Sequence, residues 1–242
     1  VRHPIPLLSL DKTKQTEELL QMAGKAPALL MLKLDGLTVK LVYENGQLVE
    51  ASTRGDGDIG EVITHNIPAF YNVPTKIPHK KRLVITGEGF IHKDDFERMR
   101  EETLGKEDKE ICNARNLASG SIRLLNPTAC KERHVYFYAF NILEGMEDFG
   151  EIADSRGRLL EAIGELGFAV CPFTFLSEHV ILREIEAQIV GLKTLAEDWY
   201  IPIDGMVLRY DSLSYSKRCG RTGHHYKDGI AFKFEDDTYE TV

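Results

Sequence analysis

The stretch that most constrains the fold runs from residue 37 to residue 53. Leu37 to Tyr43 and Gln47 to Thr53 alternate apolar and polar residues around Asn45-Gly46. Two such runs joined by Asn-Gly predict a β-hairpin, because both turn positions need positive φ and Asn and Gly tolerate it. A hairpin with an apolar face has to be covered by other elements. With 242 residues, the chain is long enough for one large or two small domains around a sizeable core.

Just before the hairpin, Ala28-Leu29-Leu30-Met31-Leu32-Lys33-Leu34-Asp35-Gly36-Leu37 sets one lysine inside an apolar run. Burial disfavours an ammonium, and a neutral amine is a nucleophile, so Lys33 is a candidate for covalent catalysis. The same tetrapeptide also fits a strand-end lysine reaching solvent before an Asp-Gly turn. Taken alone, it does not separate the two.

The rest of the chain predicts an α+β protein with antiparallel-rich sheets flanked by helices. After an extended, proline-punctuated start, a short helix is expected over Thr16 to Ala23, capped by Thr13. Arg54-Gly55-Asp56-Gly57 makes a glycine-rich bend, and Gly60 to Ala69 has partial helical character. Arg82 to Ile91 reads as a strand carrying Glu88, followed by a charged helix from Lys93 to about Glu102 and a polar loop from Leu104 to Glu110. Asn113 to Leu125 is expected to be mostly helical, with Arg115 and Arg123 on one side. An aromatic strand follows over Val135 to Leu143. Helices over Ser155 to Leu166 and Glu178 to Leu195 enclose a strand from Phe168 to Phe175. Strands Ile203 to Tyr210 and Gly229 to Phe234 close the pattern.

The formal charge of −8 argues against a module that grips nucleic acid unaided. Cys112, Cys130, Cys171 and Cys219 have neither zinc spacing nor a disulfide framework and read as reduced thiols of a cytoplasmic protein. No apolar run reaches the length of a membrane span, and no metal-ligand motif is present. The start on Val1-Arg2-His3-Pro4 reads as that of an excised fragment.

Five further segments accompany the lysine run in order: Thr53-Arg54-Gly55-Asp56-Gly57, the Glu88 strand, the Tyr138 strand, Asp204-Gly205-Met206-Val207-Leu208-Arg209, and Ala231-Phe232-Lys233-Phe234. With them stands Asn113-Ala114-Arg115-Asn116-Leu117-Ala118-Ser119-Gly120-Ser121-Ile122-Arg123. In these residues the chain resembles the adenylation domain of bacterial NAD-dependent DNA ligases, from His3 to Phe234. The Asn113 segment resembles a signature that the ATP-dependent ligases lack.

This resemblance implies the nucleotidyltransferase (adenylation) fold of ligases over residues 1–242, with NAD as cofactor, AMP as a covalent intermediate, and magnesium. Lys33 would take AMP from NAD as a phosphoramidate and pass it to the 5′-phosphate of nicked double-stranded DNA, which the 3′-hydroxyl then seals. It implies that Asp35 orients the lysine or a metal-bound phosphate, and that Lys233 contacts the phosphate. It places Arg54 and Glu88 on the ribose hydroxyls, a donor and an acceptor suited to a diol. Tyr138 would stack on adenine, Ser9 and Leu10 would line the adenine pocket, and Arg115 and Arg123 would meet phosphates of nucleotide or DNA. In isolation Glu88 reads as a solvated strand residue, Tyr138 as core, and the arginine pair as a solvated face.

Two positions depart from the family pattern. Met31 stands where most members carry Glu, and Arg209 where they carry Lys, both on the adenine side of the pocket. Arg is planar and bulkier than Lys, so the second change is not neutral. The family's upstream nicotinamide-binding module and its downstream OB-fold, zinc finger, helix-hairpin-helix and BRCT domains are not in this sequence. The expected protein is a cytoplasmic monomer with no membrane contact. Alternatives are an ATP-dependent ligase or capping-type nucleotidyltransferase, a non-catalytic adenylate-binding module, and a stand-alone DNA-binding domain.

Overall fold

The structure, a computed structural model, describes residues 1–103 and 113–234. Asn45 and Gly46 take φ of 53° and 76°, and β3 (Leu37–Glu44) folds back into β4 (Gln47–Thr53) as the turn chemistry requires. Next to them, β5 (Leu83–Phe90) and β6 (Tyr136–Glu144) complete an antiparallel sheet of order β4-β3-β5-β6. A second sheet is built from β1 (Ser9–Thr13), β2 (Ala28–Leu34), β7 (Phe173–Leu176), β8 (Ile203–Tyr210) and β9 (His225–Lys233). Its order is β1-β9-β8-β2-β7, antiparallel throughout except where β1 runs parallel to β9. The expected α+β class holds.

Helices α1 (Thr16–Ala23) and α6 (Leu182–Asp198) pack together, with α6 against β2 and α1 against β8 and β9. Helix α2 (Lys93–Thr103) follows β5, α3 (Ala114–Ile122) packs on β5 and against α4 (Pro127–Glu132), and α5 (Arg156–Glu165) packs on β6. With both faces covered, β2 is buried at every position but Lys33, which explains its near-continuous apolar run. The Asp35-Gly36 step carries the chain from one sheet to the other. A Cβ on Gly36 would run into the Gly89 carbonyl oxygen of β5, so the crossing needs glycine there.

Several expectations are corrected. Thr13 ends β1 rather than capping α1; its hydroxyl accepts from the Gln15 N–H, and Gln15 holds the cap position. The expected strand at 168–175 shrinks to β7, because Pro172 has no N–H to give a ladder and Val170 makes only an isolated bridge to Ala139. Helix α6 starts at Leu182, not Glu178. Gly60 to Ala69 contributes a short 3-10 turn, Thr64–Ala69. The helix after Asn113 ends at Ile122, so Arg123 lies at its cap. The polar loop read at 104–110 lies outside the described residues.

Candidate active site

The two sheets face each other across a cleft of about 300 Å³. Its floor is laid out in rows by the ladder of β2, β8 and β9. The first row is Lys33, Gly205 and Lys233, the second Met31, Val207 and Ala231, and the third Leu29, Arg209 and Gly229. Residues two apart on a strand share a face, so cations, an apolar floor and a guanidinium succeed one another over roughly 13 Å.

At the first row the ladder slips between Lys33 and Leu34, which pair with Gly205 and Ile203 and leave Asp204 bulged out. The Lys33 Nζ donates to Asp204 Oδ1 at 2.6 Å, and Lys233 Nζ lies 3.0 Å from Oδ2. Burial pushes the Asp204 carboxyl up, but the two lysines outweigh it and hold the group below the usual carboxylate range. Lys33 is not engulfed by its apolar run. About a fifth of its side chain is exposed, on the cleft side.

The opposing sheet supplies Thr38, Thr86 and Glu88. Glu88 accepts from the Thr38 hydroxyl at 2.9 Å. Burial pushes its carboxyl up to about 7, against the opposing pull of that hydrogen bond and of Lys33 and Arg115. Arg54, whose N–H is tied to the Thr38 carbonyl, donates through Nη2 to Ser9 Oγ at 2.6 Å. Arg115 enters from the first turn of α3, which Asn113 caps by accepting from the Asn116 N–H.

At the far end Arg209 donates to Asp228 Oδ2 at 2.6 Å, and the buried Arg156 donates to the same oxygen at 3.0 Å. Burial raises the Asp228 carboxyl, but Arg209 and Arg156 outweigh it and hold the group low. Burial and Arg209 together bring the Arg156 guanidinium down to about 9. The Nε atoms of Arg209 and Arg54 are buried with no hydrogen-bond partner.

Most residues singled out in the sequence meet here: Lys33, Lys233 and Arg115 in the cationic part, Arg54 and Glu88 at the sides. Ser9, Leu10, Met31 and Arg209 line the remainder. Three do not reach the wall. Asp35 pairs with Arg115 at 3.2 Å, while Asp204 holds the lysine. Tyr138 sits opposite Glu88 in the ladder and packs edge-on against Phe90, with ring centroids 5.0 Å apart; Phe140 is the β6 aromatic on the cleft. Arg123 pairs with Glu61 at 3.1 Å, apart from Arg115 and its partner. Sequence reasoning missed Asp204, Thr38, Asp228 and Arg156. Only Asp204, inside the Asp204-Gly205 motif, carried a local signal.

A lysine amine among cations, at the head of an apolar floor between two sheets, defines a nucleotidyltransferase-class domain. Solved structures of ligases share this fold: an archaeal ATP-dependent RNA ligase superposes with a TM-score of 0.52 at 13% identity, covering 94% of this chain and 48% of its own. More specifically, the chain belongs to the NAD-dependent DNA ligase adenylation domain family, whose model matches residues 1–237. A curated DNA ligase of Ruminiclostridium cellulolyticum is 38% identical over 241 residues, 100% of this chain and 36% of the relative. A DNA ligase of Bacillus pumilus is 34% identical over 242 residues, 97% of this chain and 36% of the relative. The chain thus spans about a third of the length of these relatives.

Proposed function

We propose that this chain is the adenylate-transferring core of an NAD-dependent DNA ligase, with NAD as substrate and Lys33 as nucleophile. The supporting observation is the Lys33 amine, held by a half-buried ion pair in the cationic row of the cleft. Lys33 Nζ forms a bond to the α-phosphorus of NAD as the bond from that phosphorus to nicotinamide mononucleotide breaks. Asp204, 2.6 Å away, holds the amine until the phosphate displaces it, and the proton the amine gives up leaves to solvent through the cleft on which Lys33 is exposed. The AMP then passes to the 5′-phosphate of nicked DNA, where attack by the 3′-hydroxyl expels it.

Phosphoryl transfer of this kind rests on positioning and on cations around developing anionic charge. Lys233 and Arg115 supply that charge, with Asp35 holding Arg115 in place. Arg54 and Glu88 suit the ribose hydroxyls, and Ser9, Leu10, Met31 and Arg209 surround the base. Phe140 offers the aromatic face, with Tyr138 beside it. Arg123, on the surface, suits a DNA phosphate. Among the described residues no group of three His, Cys, Asp or Glu side chains is placed to hold a metal. Magnesium belongs to the same proposal and, when bound, would neutralise charge on the phosphate oxygens at the cationic end of the cleft.

A role in DNA replication and repair, in the cytoplasm and as a monomer, belongs to the same proposal. Among the described residues no helix is long and apolar enough to cross a membrane. The test is to label the adenylate phosphate of NAD or ATP and follow it, in the protein carrying this chain, onto protein and then nicked DNA. Label is expected from NAD and not from ATP. Label from ATP would favour an ATP-dependent enzyme, and binding without labelling a non-catalytic adenylate-binding module.

A further inference from the structure

Residues 1–9 cross the edge of the cleft as a strap. At one end the strap is bonded to the bend that follows β4: the His3 N–H donates to the Asp58 carbonyl at 2.8 Å, and the Leu7 N–H to the Gly57 carbonyl at 2.9 Å. At the other it joins the sheet of β8 and β9. There the Tyr226 hydroxyl donates to the Pro6 carbonyl at 2.5 Å, and Ser9 pairs with His225 of β9. Pro6 to Leu10 line the cleft, and His3 does not.

The His3 side chain is spent on the bend. It is buried, and its Nε2 lies 3.1 Å from the Thr53 carbonyl oxygen and 3.2 Å from that of Arg54. Both partners are acceptors, so the ring carries its proton on Nε2 and donates it to them. Nδ1 is buried with no hydrogen-bond partner, and burial together with the charge of Lys40 holds the ring below the usual histidine range. His3 is therefore a fixed, neutral donor.

The bend needs such a pin. Gly55 and Gly57 take φ of 58° and 106°, conformations that glycine enters and leaves easily, so the backbone is loose on the C-terminal side of Arg54. Arg54 is held through its N–H on the Thr38 carbonyl, through its carbonyl, and through Nη2 on Ser9 Oγ. The carbonyl accepts from the Gly57 N–H at 3.1 Å and from His3. Thr38 and Ser9 stand on the cleft wall, whereas His3 reaches the same arginine from outside it.

We infer that His3 is a positioning residue, which sets Arg54 for the ribose hydroxyls by holding the carbonyls of Thr53 and Arg54. Without the imidazole, the Arg54 peptide turns with its glycines, and the guanidinium loses its fixed aim. This inference rests on the proposed nucleotide site and adds the residue that shapes one of its contacts from behind.

The test is titration calorimetry of the protein carrying this chain with AMP and with its 2′,3′-dideoxy analogue, which needs no turnover. His3→Leu, which fills much of the ring's space without a donor, should weaken AMP about tenfold and the analogue less than about twofold. His3→Gln places an amide NH₂ where Nε2 stands and should keep AMP within about threefold of the unmodified protein. In an Arg54→Ala background His3→Leu should add less than about twofold, because the residue through which it acts is gone. Should His3→Leu fail to fold, His3→Asn takes its place, since its amide stops short of the two carbonyls. Equal weakening of both nucleotides, or a full tenfold loss added to that of Arg54→Ala, would overturn the inference by making His3 a general support of the fold. So would unchanged AMP binding in His3→Leu. Equal affinity for the two nucleotides in the unmodified protein would instead overturn the ribose contact, and binding of neither would overturn the nucleotide site itself; the inference goes with either.

Discussion

The two ends of the cleft use ion pairs differently. At the reactive end, Lys33 shares Asp204 with Lys233, and Arg115 rests on Asp35, with side chains from about a fifth to a half exposed. Pairs that keep this much contact with water contribute less stability, and exchange partners more readily, than sealed ones. At the base end, Asp228 sits between Arg209 and Arg156 with little access to water. Removing one partner there strands charge in a poor solvent. Under the proposed function, the reactive end would give up Asp204 when phosphate arrives, while the base end keeps its shape.

The largest effect expected from breaking this contrast is on activity. Lys33→Ala should lower adenylate transfer to the protein about a thousandfold or more, with nucleotide binding retained, as read by labelling and calorimetry together. Next comes stability at the base end. Asp228→Ala leaves two buried guanidinium groups without their shared carboxylate and should cost about 3–5 kcal/mol in urea denaturation.

A pH effect of similar size belongs to Glu88. Its carboxyl titrates near 7 in the folded chain against 4.5 when unperturbed, so the folded state binds the proton more tightly. The contribution is fully present below about pH 4.5 and is lost as pH rises through 7. That amounts to about 3 kcal/mol across the window, and Glu88→Gln should flatten this part of the stability profile. The smallest effect is expected at the exposed pair. Asp35→Asn should change stability by no more than about 1 kcal/mol, since Arg115 remains solvated. A loss there as large as that of Asp228→Ala would erase the contrast.

Local chemistry made much of the fold legible. Asn45-Gly46 dictates its turn by backbone sterics, and the near-continuous apolar run around Lys33 fits the covered strand β2 that the structure shows. Where a single residue overrides a pattern, reading fails. Pro172 interrupts what looks like a strand, and Thr13 spends its hydroxyl inside a strand end. Candidate site residues with unusual surroundings, such as Lys33, stand out in the sequence. Their partners do not: Asp204 lies 171 positions from Lys33, and Asp228 lies 72 from Arg156. Nothing in the neighbouring residues encodes a contact across that distance: the register of β2 and β8 creates the first, and the docking of Arg156, at the start of α5, on the Tyr210 carbonyl of β8 accompanies the second. Asp35 illustrates the reverse: close in sequence to Lys33, it serves Arg115 instead.

The central claim is that Lys33, released from Asp204, takes the adenylate. The most direct measurement is intact mass with peptide mapping of the protein carrying this chain, after incubation with NAD and magnesium, alongside Lys33→Ala. The account predicts one AMP on the peptide that contains Lys33 and none in the variant. AMP on another residue, or an adduct that survives Lys33→Ala, would contradict it.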